Sequence, residues 1–477
     1  MKPSRIAVVL ALLLVPRALA AGPPEGFGAA ALWDAWPSVR VSPPDPWSLK
    51  SAQLQAALEA LGREHPGLFA VADEGRSGEG RKLAVLSLGS GPAVVLLWSQ
   101  MHGDEPTATS ALLDVVSFLG KNRGSPAVRS LLSRLTILLL PMLNPDGAER
   151  TTRRNAQGID INRDALRLQT PEGRYLKKVR DRFQPAVGFN LHNQSPLTLA
   201  GRDGGQVALA FLSVAFDEAL TENDGRRTTK RLAVFLRDDL APWAAGKIAR
   251  YDSDYTARAF GDAMTRWGTA TLLIETGGWN GPDEAETLVR LNFVALLRSL
   301  KALADGSLTA VDPAAYETIP LLEREGLFDV VLREARVANG SGLPPYLADV
   351  ALLRPHAFGG TAGRGRPGVV DLGDLSAFRA KEDVAAKGKF LVPAPPGGEE
   401  GWRKTVARLR ERKLADEEGG LLLSPEQLSL EVKGWMPGGQ LLAPGYAGAL
   451  LILAPSADGT LRLERRIEAG ARPSAAP

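Results

Sequence analysis

The sequence contains no cysteine among its 477 residues. Disulfide bonds, thiol nucleophiles and thiolate metal ligands are therefore excluded. Histidine is also scarce, because the only four are His65, His102, His192 and His356. Any chemistry that needs an imidazole must use one of these side chains. The charges nearly balance at a formal +3, which argues against a nucleic acid partner.

Long hydrophobic runs are missing from the chain after residue 20. No segment there offers the ~18 consecutive apolar residues of a membrane span. The chain begins with Lys2 and Arg5, an apolar run over residues 6–15, and small residues at positions 18 and 20. This pattern predicts a signal peptide over residues 1–20. We therefore expect a secreted or periplasmic protein whose mature chain has no transmembrane segment.

The length and a hydrophobic share of 44% suit two or three globular domains. Residues 21–47 are rich in Gly, Pro and Trp and predict an irregular lead-in. Strands alternate with helices over residues 48–305, which favours an α/β domain with a mixed, largely parallel sheet flanked by helices. The predicted strands lie at residues 82–88, 93–98, 135–140, 187–191 and 269–274. The predicted helices lie at 48–62 with Ser48 as N-cap, at 107–119, and from Pro171 with Thr170 before it.

The pattern changes after residue 306. Strand-like runs occur at 347–353, 368–372, 428–432 and 450–453, separated by turns rich in Gly and Pro. A charged segment at 402–418 predicts a helix between them, and residues 470–477 predict a disordered end. We therefore expect a smaller β-rich accessory domain over residues 306–477.

Polar side chains follow several of the predicted strands. His102 and Glu105 come just after the strand at 93–98, where active-site groups of open α/β sheets are found. An imidazole and a carboxylate three residues apart can hold a divalent ion, although an ordinary hydrogen-bonded pair is the default interpretation of this short pattern alone. His192 ends another strand and Glu275 a third. A lone histidine there is usually structural, whereas a buried carboxylate needs a partner or a role.

Arginines occupy the loop that follows the strand at 135–140. Arg153, Arg154 and Arg163 lie on turns rich in Asn, Pro and Gly, together with Asn162. Such arginines are usually solvated, but guanidinium groups also grip carboxylates in a bidentate manner. His65 and His356 are interpreted as surface or structural residues.

The order of these motifs resembles the zinc carboxypeptidase family of the carboxypeptidase A and B type. The sequence has His-Gly-Asp-Glu at 102–105, Asn-Pro-Asp-Gly at 144–147, and Arg-Arg-Asn-Ala-Gln-Gly-Ile-Asp-Ile-Asn-Arg at 153–163. The strand-borne His192 and Glu-Thr-Gly-Gly at 275–278 follow. The similarity covers roughly residues 50–305.

This resemblance implies one Zn²⁺ per chain, held by His102, Glu105 and His192. Asp160 is similar to the carboxylate that orients the first histidine, and Glu275 matches the general base of the family.

The substrate-binding residues are also implied by the resemblance. Asn162 and Arg163 match the pair that holds a terminal carboxylate. Arg153 matches the oxyanion-stabilising arginine, with Arg154 as an alternative. Tyr251 is expected to close over the substrate, with Tyr255 as an alternative.

Two further features concern specificity. Asp164 stands where the family commonly has Asn, which predicts a negative charge beside the carboxylate site. The side-chain pocket is expected within residues 258–267, which contain Arg258, Phe260 and Asp262.

The function implied is that of a secreted or periplasmic zinc metallocarboxypeptidase, which hydrolyses the last bond of peptides with a free carboxylate. One alternative is a zinc amidase acting on cell-wall peptides or N-acyl amino acids. Another is a catalytically silent peptide-binding protein.

Overall fold

The computed structural model describes residues 27–252, 254–281, 283–324, 326–354 and 367–468. The predicted signal peptide, His356 and the predicted disordered end at 470–477 lie outside these ranges. The helices are α1 (Ala29–Val39), α2 (Ser51–Glu64), α3 (Thr107–Lys121), α4 (Pro126–Arg134), α5 (Pro145–Arg150), α6 (Pro171–Phe183), α7 (Asp224–Asp239), α8 (Ala241–Ala244), α9 (Phe260–Arg266), α10 (Glu284–Asp305), α11 (Gly398–Glu411) and α12 (Pro425–Trp435).

The strands of the first sheet and its neighbours are β1 (Phe69–Arg76), β2 (Lys82–Leu88), β3 (Ala93–Ser99), β4 (Leu135–Leu140), β5 (Val187–Asn193), β6 (Leu199–Ala200), β7 (Leu209–Ser213), β8 (Ile248–Arg250), β9 (Ala270–Thr276) and β10 (Leu322–Glu323). The strands of the C-terminal sheet are β11 (Leu327–Val337), β12 (Tyr346–Leu353), β13 (Gly368–Gly373), β14 (Arg379–Ala385), β15 (Phe390–Pro393), β16 (Leu450–Pro455) and β17 (Leu461–Ile467).

The N-terminal region is built on an eight-stranded sheet with the order β1-β2-β4-β3-β5-β9-β7-β8. Its four central strands β4, β3, β5 and β9 pair in parallel, whereas β1 and β2 are antiparallel and β7 is antiparallel to β9. The predicted mixed, largely parallel sheet is thus confirmed. Because β3, β5 and β9 run in parallel, their carboxyl ends lie at one edge of the sheet.

Both faces of this sheet are covered. Along β3, Val95 and Leu97 pack into the cluster that includes α3 and α10, while Leu96 and Trp98 pack into the cluster that includes α6 and α9. A strand buried on both faces reads as a continuous apolar run rather than an alternating one. This is why the sequence pattern located β3 and β4 so closely.

The prediction of an irregular segment over 21–47 is wrong for residues 29–39, which form α1. Leu32, Trp36 and Val39 recur at helical spacing and are buried. Pro37 lacks the N–H that would bond to the carbonyl oxygen of Trp33. The Arg290 side chain donates to that oxygen instead, from Nε at 2.8 Å and Nη2 at 2.5 Å. A proline in the last turn is therefore tolerated.

Two other local predictions are wrong. Ser48 lies in a short 3₁₀ turn, Pro46–Ser48, and the following helix begins at Ser51 with Lys50 as N-cap. The segment 428–432, predicted as a strand from its alternating pattern, belongs to α12. A capping box between Ser424 and Gln427 starts this helix. Its buried residues follow helical spacing, and Leu430, which the strand interpretation grouped with them, is 60% exposed.

The C-terminal region contains a seven-stranded sheet with the order β13-β12-β11-β15-β16-β17, and β14 pairs in parallel with β11. Residues of α11 and α12 share one apolar core with this sheet. The β-rich C-terminal region is thus confirmed. The expected boundary at residue 306 falls before the structural one, because Leu308, Tyr316 and Ile319 pack in the N-terminal core.

Asp114 of α3 anchors the N-terminal segment. Its fully buried carboxylate accepts hydrogen bonds from Trp36 Nε1, the amides of Val41 and Ser42, and the Ser42 hydroxyl, each at 2.9 Å. These bonds offset the cost of burying the charge.

We predict that Asp114→Ala lowers the free energy of unfolding by about 2–4 kcal/mol, because several donors lose their acceptor in a buried place. Urea denaturation measures the change. The control is Asp34→Ala on the exposed face of α1, for which we expect a change within about 0.5 kcal/mol. Equal effects of the two substitutions would contradict the anchoring role.

Candidate metal and active site

Three sheet strands bring the polar residues together. His102 and Glu105 lie in the turn between β3 and α3, and His192 lies near the end of β5. Glu275 of β9 is the direct register partner of His192. The parallel register therefore brings four residues that are far apart in sequence to one edge of the sheet.

The donor atoms of three of these residues converge. The two oxygens of Glu105 lie 2.7 Å from His102 Nδ1 and 2.7 Å from His192 Nδ1. The two Nδ1 atoms are 3.1 Å apart. All of these groups are buried, and one donor atom from each lies within 4.8 Å of the others. Three electron-pair donors that converge in a buried place fit a shared cation.

The surroundings of His102 support the same interpretation. Its Nε2 lies 3.1 Å from Asp160 Oδ1, which favours the tautomer with the proton on Nε2. The lone pair of Nδ1 is then directed at the other donors, as in metal-bound histidines whose second nitrogen contacts a carboxylate. Two imidazoles and one carboxylate form a donor set of catalytic zinc sites, which leave a further position open. The residues therefore fit zinc.

The ligand turn depends on close backbone packing. A Cβ at Gly103 would lie 2.0 Å from the carbonyl carbon of Gly147, so the two motifs touch through their backbones. Gln100 precedes the turn with a φ of 51°, which is costly for a residue with a side chain. Its Nε2 donates to the Gly103 oxygen at 2.9 Å, and its Oε1 accepts from the Thr109 hydroxyl at 3.0 Å. These bonds hold the turn in shape.

Buried polar residues hold the arginine-rich loop. Asn144 caps α5 by accepting from the Gly147 amide at 2.9 Å, and its Nδ2 donates to the Arg153 carbonyl at 3.3 Å. The fully buried Glu172 accepts from the Asn155 side chain at 3.0 Å. Asn155 in turn accepts from the amides of residues 157 and 159 at 3.0 Å. The loop therefore has one defined conformation beside the ligands.

Arg153 and Arg154 point in different directions. Arg153 contacts Asp160 through Nε at 3.0 Å, and its Nη1 lies 3.1 Å from His102 Nδ1 and 3.4 Å from Glu105 Oε1. The exposed Arg154 donates to the carbonyl of Gly158 at 3.0 Å. Of the two, Arg153 is the one at the candidate metal centre.

The charges of the centre are strongly coupled. Burial opposes the charge of Glu105, but the two histidines hold the pKa of its carboxyl well below the usual range. Burial likewise opposes the charge of Asp160, whose pKa is lowered by His102 and Arg153. Both carboxylates are therefore ready to balance a cation. Burial raises the pKa of Glu275 well above its ordinary value, and the charge of Glu105 adds to this shift.

The residues expected to bind a terminal carboxylate lie on the 3₁₀ turn Ile161–Arg163. Asn162 Oδ1 accepts from the Phe260 amide at 2.9 Å. Arg163 is exposed, and its Nη1 donates to the Asn162 carbonyl at 2.7 Å. Arg163 also interacts electrostatically with Arg258 and Asp262.

Asp164 differs from the sequence-based expectation. Its buried carboxylate accepts from the amides of Gln169 and Thr170 at 2.8 Å and from the Thr170 hydroxyl at 2.7 Å. It therefore fixes the loop before α6, and its oxygens are engaged there rather than presented at the carboxylate site.

The three residues of the expected side-chain pocket have different surroundings. Phe260 is fully buried in the apolar cluster that includes α6 and α9, and it contacts Trp267 edge to face. Arg258 is exposed. Asp262 is 8% exposed and accepts from the Thr256 amide at 2.8 Å. Burial raises the pKa of Asp262 to about 6.

Tyr251 follows β8 and is half-buried, as is Tyr255. Burial raises the pKa of Tyr251, and the charges of Glu275 and Glu105 act in the same direction. Its hydroxyl therefore lies within electrostatic reach of the candidate centre.

Sequence reasoning assigned no role to Gln100, Asn144 or Glu172. Asn144 lies inside the recognised motif at 144–147 and Gln100 lies two residues before the motif at 102–105, so their positions were a usable signal. Glu172 lies in the first turn of α6, where it reads as an ordinary helix-start residue.

The geometry first defines an α/β protein with a candidate zinc site at the carboxyl edge of its sheet. Comparison with known proteins then relates part of the chain to a family. Residues 54–190 match the family model described as zinc carboxypeptidase, so this part of the chain is similar to that family.

Several known proteins share this similarity. Carboxypeptidase 2 of Trichophyton rubrum is 32% identical over 234 residues, or 44% of this chain and 43% of that protein. Carboxypeptidase E of Caenorhabditis elegans is 32% identical over 134 residues, or 24% of this chain and 28% of that protein. This chain thus spans less than half the length of these relatives.

Solved structures were also matched. Carboxypeptidase A from Helicoverpa armigera has 16% identity and a TM-score of 0.45, covering 59% of this chain and 80% of its own. A metallo-carboxypeptidase from Burkholderia cenocepacia has 20% identity and a TM-score of 0.42, covering 54% of this chain and 69% of its own.

We predict that the protein purified without chelators contains one zinc ion per chain, and that His102→Ala and His192→Ala lose it because two ligands cannot hold a catalytic zinc firmly. Elemental analysis by mass spectrometry measures the content. The control is His65→Gln, which changes a histidine elsewhere in the same domain and should keep zinc. Zinc retained by both site variants would contradict the assignment.

We predict that Asp160→Asn weakens zinc affinity about 10- to 100-fold, because the histidine loses the carboxylate that orients it. Competition with a chromophoric chelator measures the affinity. Asp181→Asn, an exposed change on α6, should leave the affinity unchanged. A similar loss in both variants would show that the effect is general.

Proposed function

We propose that this protein is a zinc carboxypeptidase that hydrolyses the C-terminal peptide bond of peptides with a free carboxylate. The observation that carries the proposal is the position of Glu275. It lies opposite His192 in register, and its Oε2 is buried with no hydrogen-bond partner among the described residues. A buried carboxyl beside three convergent metal donors suits a group that exchanges a proton during the reaction.

His102, Glu105 and His192 would hold zinc, which supplies a Lewis acid that polarises a carbonyl and acidifies a water molecule. Glu275 takes a proton from the attacking water and returns it to the leaving amine, as a general base and then a general acid. The raised pKa of Glu275 suits the second step, in which the carboxyl must donate. Arg153, which borders the donor atoms, stabilises the negative charge that develops on the carbonyl oxygen.

Asn162 and Arg163 restrict the reaction to chain ends. Arg163 is exposed and presents a guanidinium, which matches a carboxylate in charge and shape. Both oxygens of the neighbouring Asp164 accept hydrogen bonds within their own loop.

We also propose that residues 1–20 direct secretion or export to the periplasm. The support is the sequence pattern of a basic start, a short apolar run and small residues. Among the described residues, no helix has the length and apolar character needed to cross a membrane.

We predict that the zinc-loaded protein removes C-terminal residues stepwise, and that Glu275→Gln lowers kcat by about 10³-fold while it keeps zinc. Mass spectrometry of a defined peptide mixture measures the products. The same peptides with an amidated C-terminus are the matched substrate control and should stay intact.

Internal cleavage, or equal cleavage of amidated peptides, would contradict the carboxypeptidase proposal. Hydrolysis of N-acyl amino acids without hydrolysis of peptides would favour the amidase. Intact substrates from a zinc-loaded protein that still binds peptides would favour the silent binding protein.

A further inference from the structure

The segment that joins the two regions passes beside the candidate active site. β10 pairs with β6, with Leu322 opposite Ala200 and Glu323 opposite Leu199. Just before it, the Arg250 amide donates to the Pro320 carbonyl at 2.8 Å. The segment is thus fixed between β6, which follows His192 in the chain, and the end of β8, which precedes Tyr251.

Arg324 comes directly after β10 and reaches Tyr251. Its guanidinium carbon lies 4.9 Å from the centre of the Tyr251 ring, a distance typical of a cation–π contact. Burial raises the pKa of the Tyr251 hydroxyl, and Arg324 opposes the shift through its charge and a side-chain hydrogen bond. The contact therefore involves both the ring and the hydroxyl.

The same guanidinium acts on the catalytic carboxyl. Its positive charge is one of the influences that lower the pKa of Glu275 against the effect of burial. Burial and the charges of Glu275 and Glu105 in turn raise the pKa of Tyr251. Arg324 nevertheless makes its cation–π contact with the Tyr251 ring, which it reaches from the link to the C-terminal region.

The C-terminal region is fixed against the same part of the molecule. Leu197 and Leu199, from the stretch after His192, share an apolar cluster with Phe328 and Val331 of β11. Arg379 of β14 donates to the Gly204 carbonyl. The backbone is therefore held on both sides of Arg324, so the position from which its side chain extends is fixed.

We propose that Arg324 is a positioning residue that holds the Tyr251 ring beside the candidate active site, so that the segment linking the two regions contributes to the substrate side of that site. The proposal rests on the proposed function and on the expectation, implied by the family resemblance, that Tyr251 closes over the bound substrate. Arg324 limits the positions that the ring adopts and leaves the zinc ligands untouched.

The first experiment is hydroxyl-radical footprinting of Tyr251, with the oxidised ring located by peptide sequencing in the mass spectrometer. We expect Arg324→Gln to speed the oxidation of Tyr251 by about two- to fivefold, because the ring loses the cation–π contact that covers one face of it. Tyr255 lies in the same tryptic peptide and serves as the internal reference. Arg324→Lys should give an intermediate rate. Arg403→Gln on α11 is the matched control and should change nothing.

The second measurement uses the peptide substrate. Arg324→Gln should raise KM about two- to fivefold and leave kcat within about twofold. The same substitution in a Tyr251→Leu background should have no further effect, because the group through which it acts is gone. A purely structural role would lower kcat and zinc content, and would persist in that background.

An unchanged oxidation rate at Tyr251 in Arg324→Gln, or an undiminished effect in the Tyr251→Leu background, would overturn the inference. Radical oxidation does not depend on turnover. If the zinc-loaded wild type cleaves no peptide, the proposed function fails, and the oxidation rates still decide whether Arg324 positions Tyr251.

Discussion

The carboxylate of Glu105 is the contact on which the candidate site depends. It lies 2.7 Å from a ring nitrogen of His102 and of His192, and it also accepts from the Asn193 amide at 3.2 Å. The turn after β3 and the end of β5 are thus joined through one side chain. Because β5 pairs with β9 in parallel, the position of His192 also determines that of Glu275. One carboxylate and one strand register therefore set the geometry of four residues.

Such a concentration of charge in a buried place must be balanced. Burial opposes the charge of Glu105, but the two histidines lower the pKa of its carboxyl, so the form available to a cation is the carboxylate. Zinc would bind the same three donor groups. The supporting loops carry a further cost, visible in the left-handed backbone of Gln100 and in the burial of Glu172. Their hydrogen bonds to backbone amides and side-chain amides offset that cost.

Much of this arrangement could be predicted from the sequence. The parallel strands are buried on both faces, so each reads as a short apolar run that ends at a functional residue, as β5 does at His192. The prediction of local structure failed where one set of apolar residues fits both the strand period and the helix period. Leu428 and Val432 are four positions apart, which suits either element. The capping box at Ser424 starts a helix there. The hydrogen-bond partners of Asp164 could not be predicted either, because residues 169 and 170 reach its carboxylate only when the loop is folded.

Arg324 shows most clearly what a linear pattern cannot provide. It lies 73 positions beyond Tyr251 in the chain, outside every motif of the N-terminal region, and it reaches the ring only because β10 pairs with β6. The same packing buries Leu197 and Leu199 against Phe328 and Val331. Removal of the C-terminal region would therefore expose apolar side chains on the stretch that follows His192, and would disturb the metal ligand as well as Tyr251. Substitution of single side chains, rather than truncation, is the change that separates the two effects.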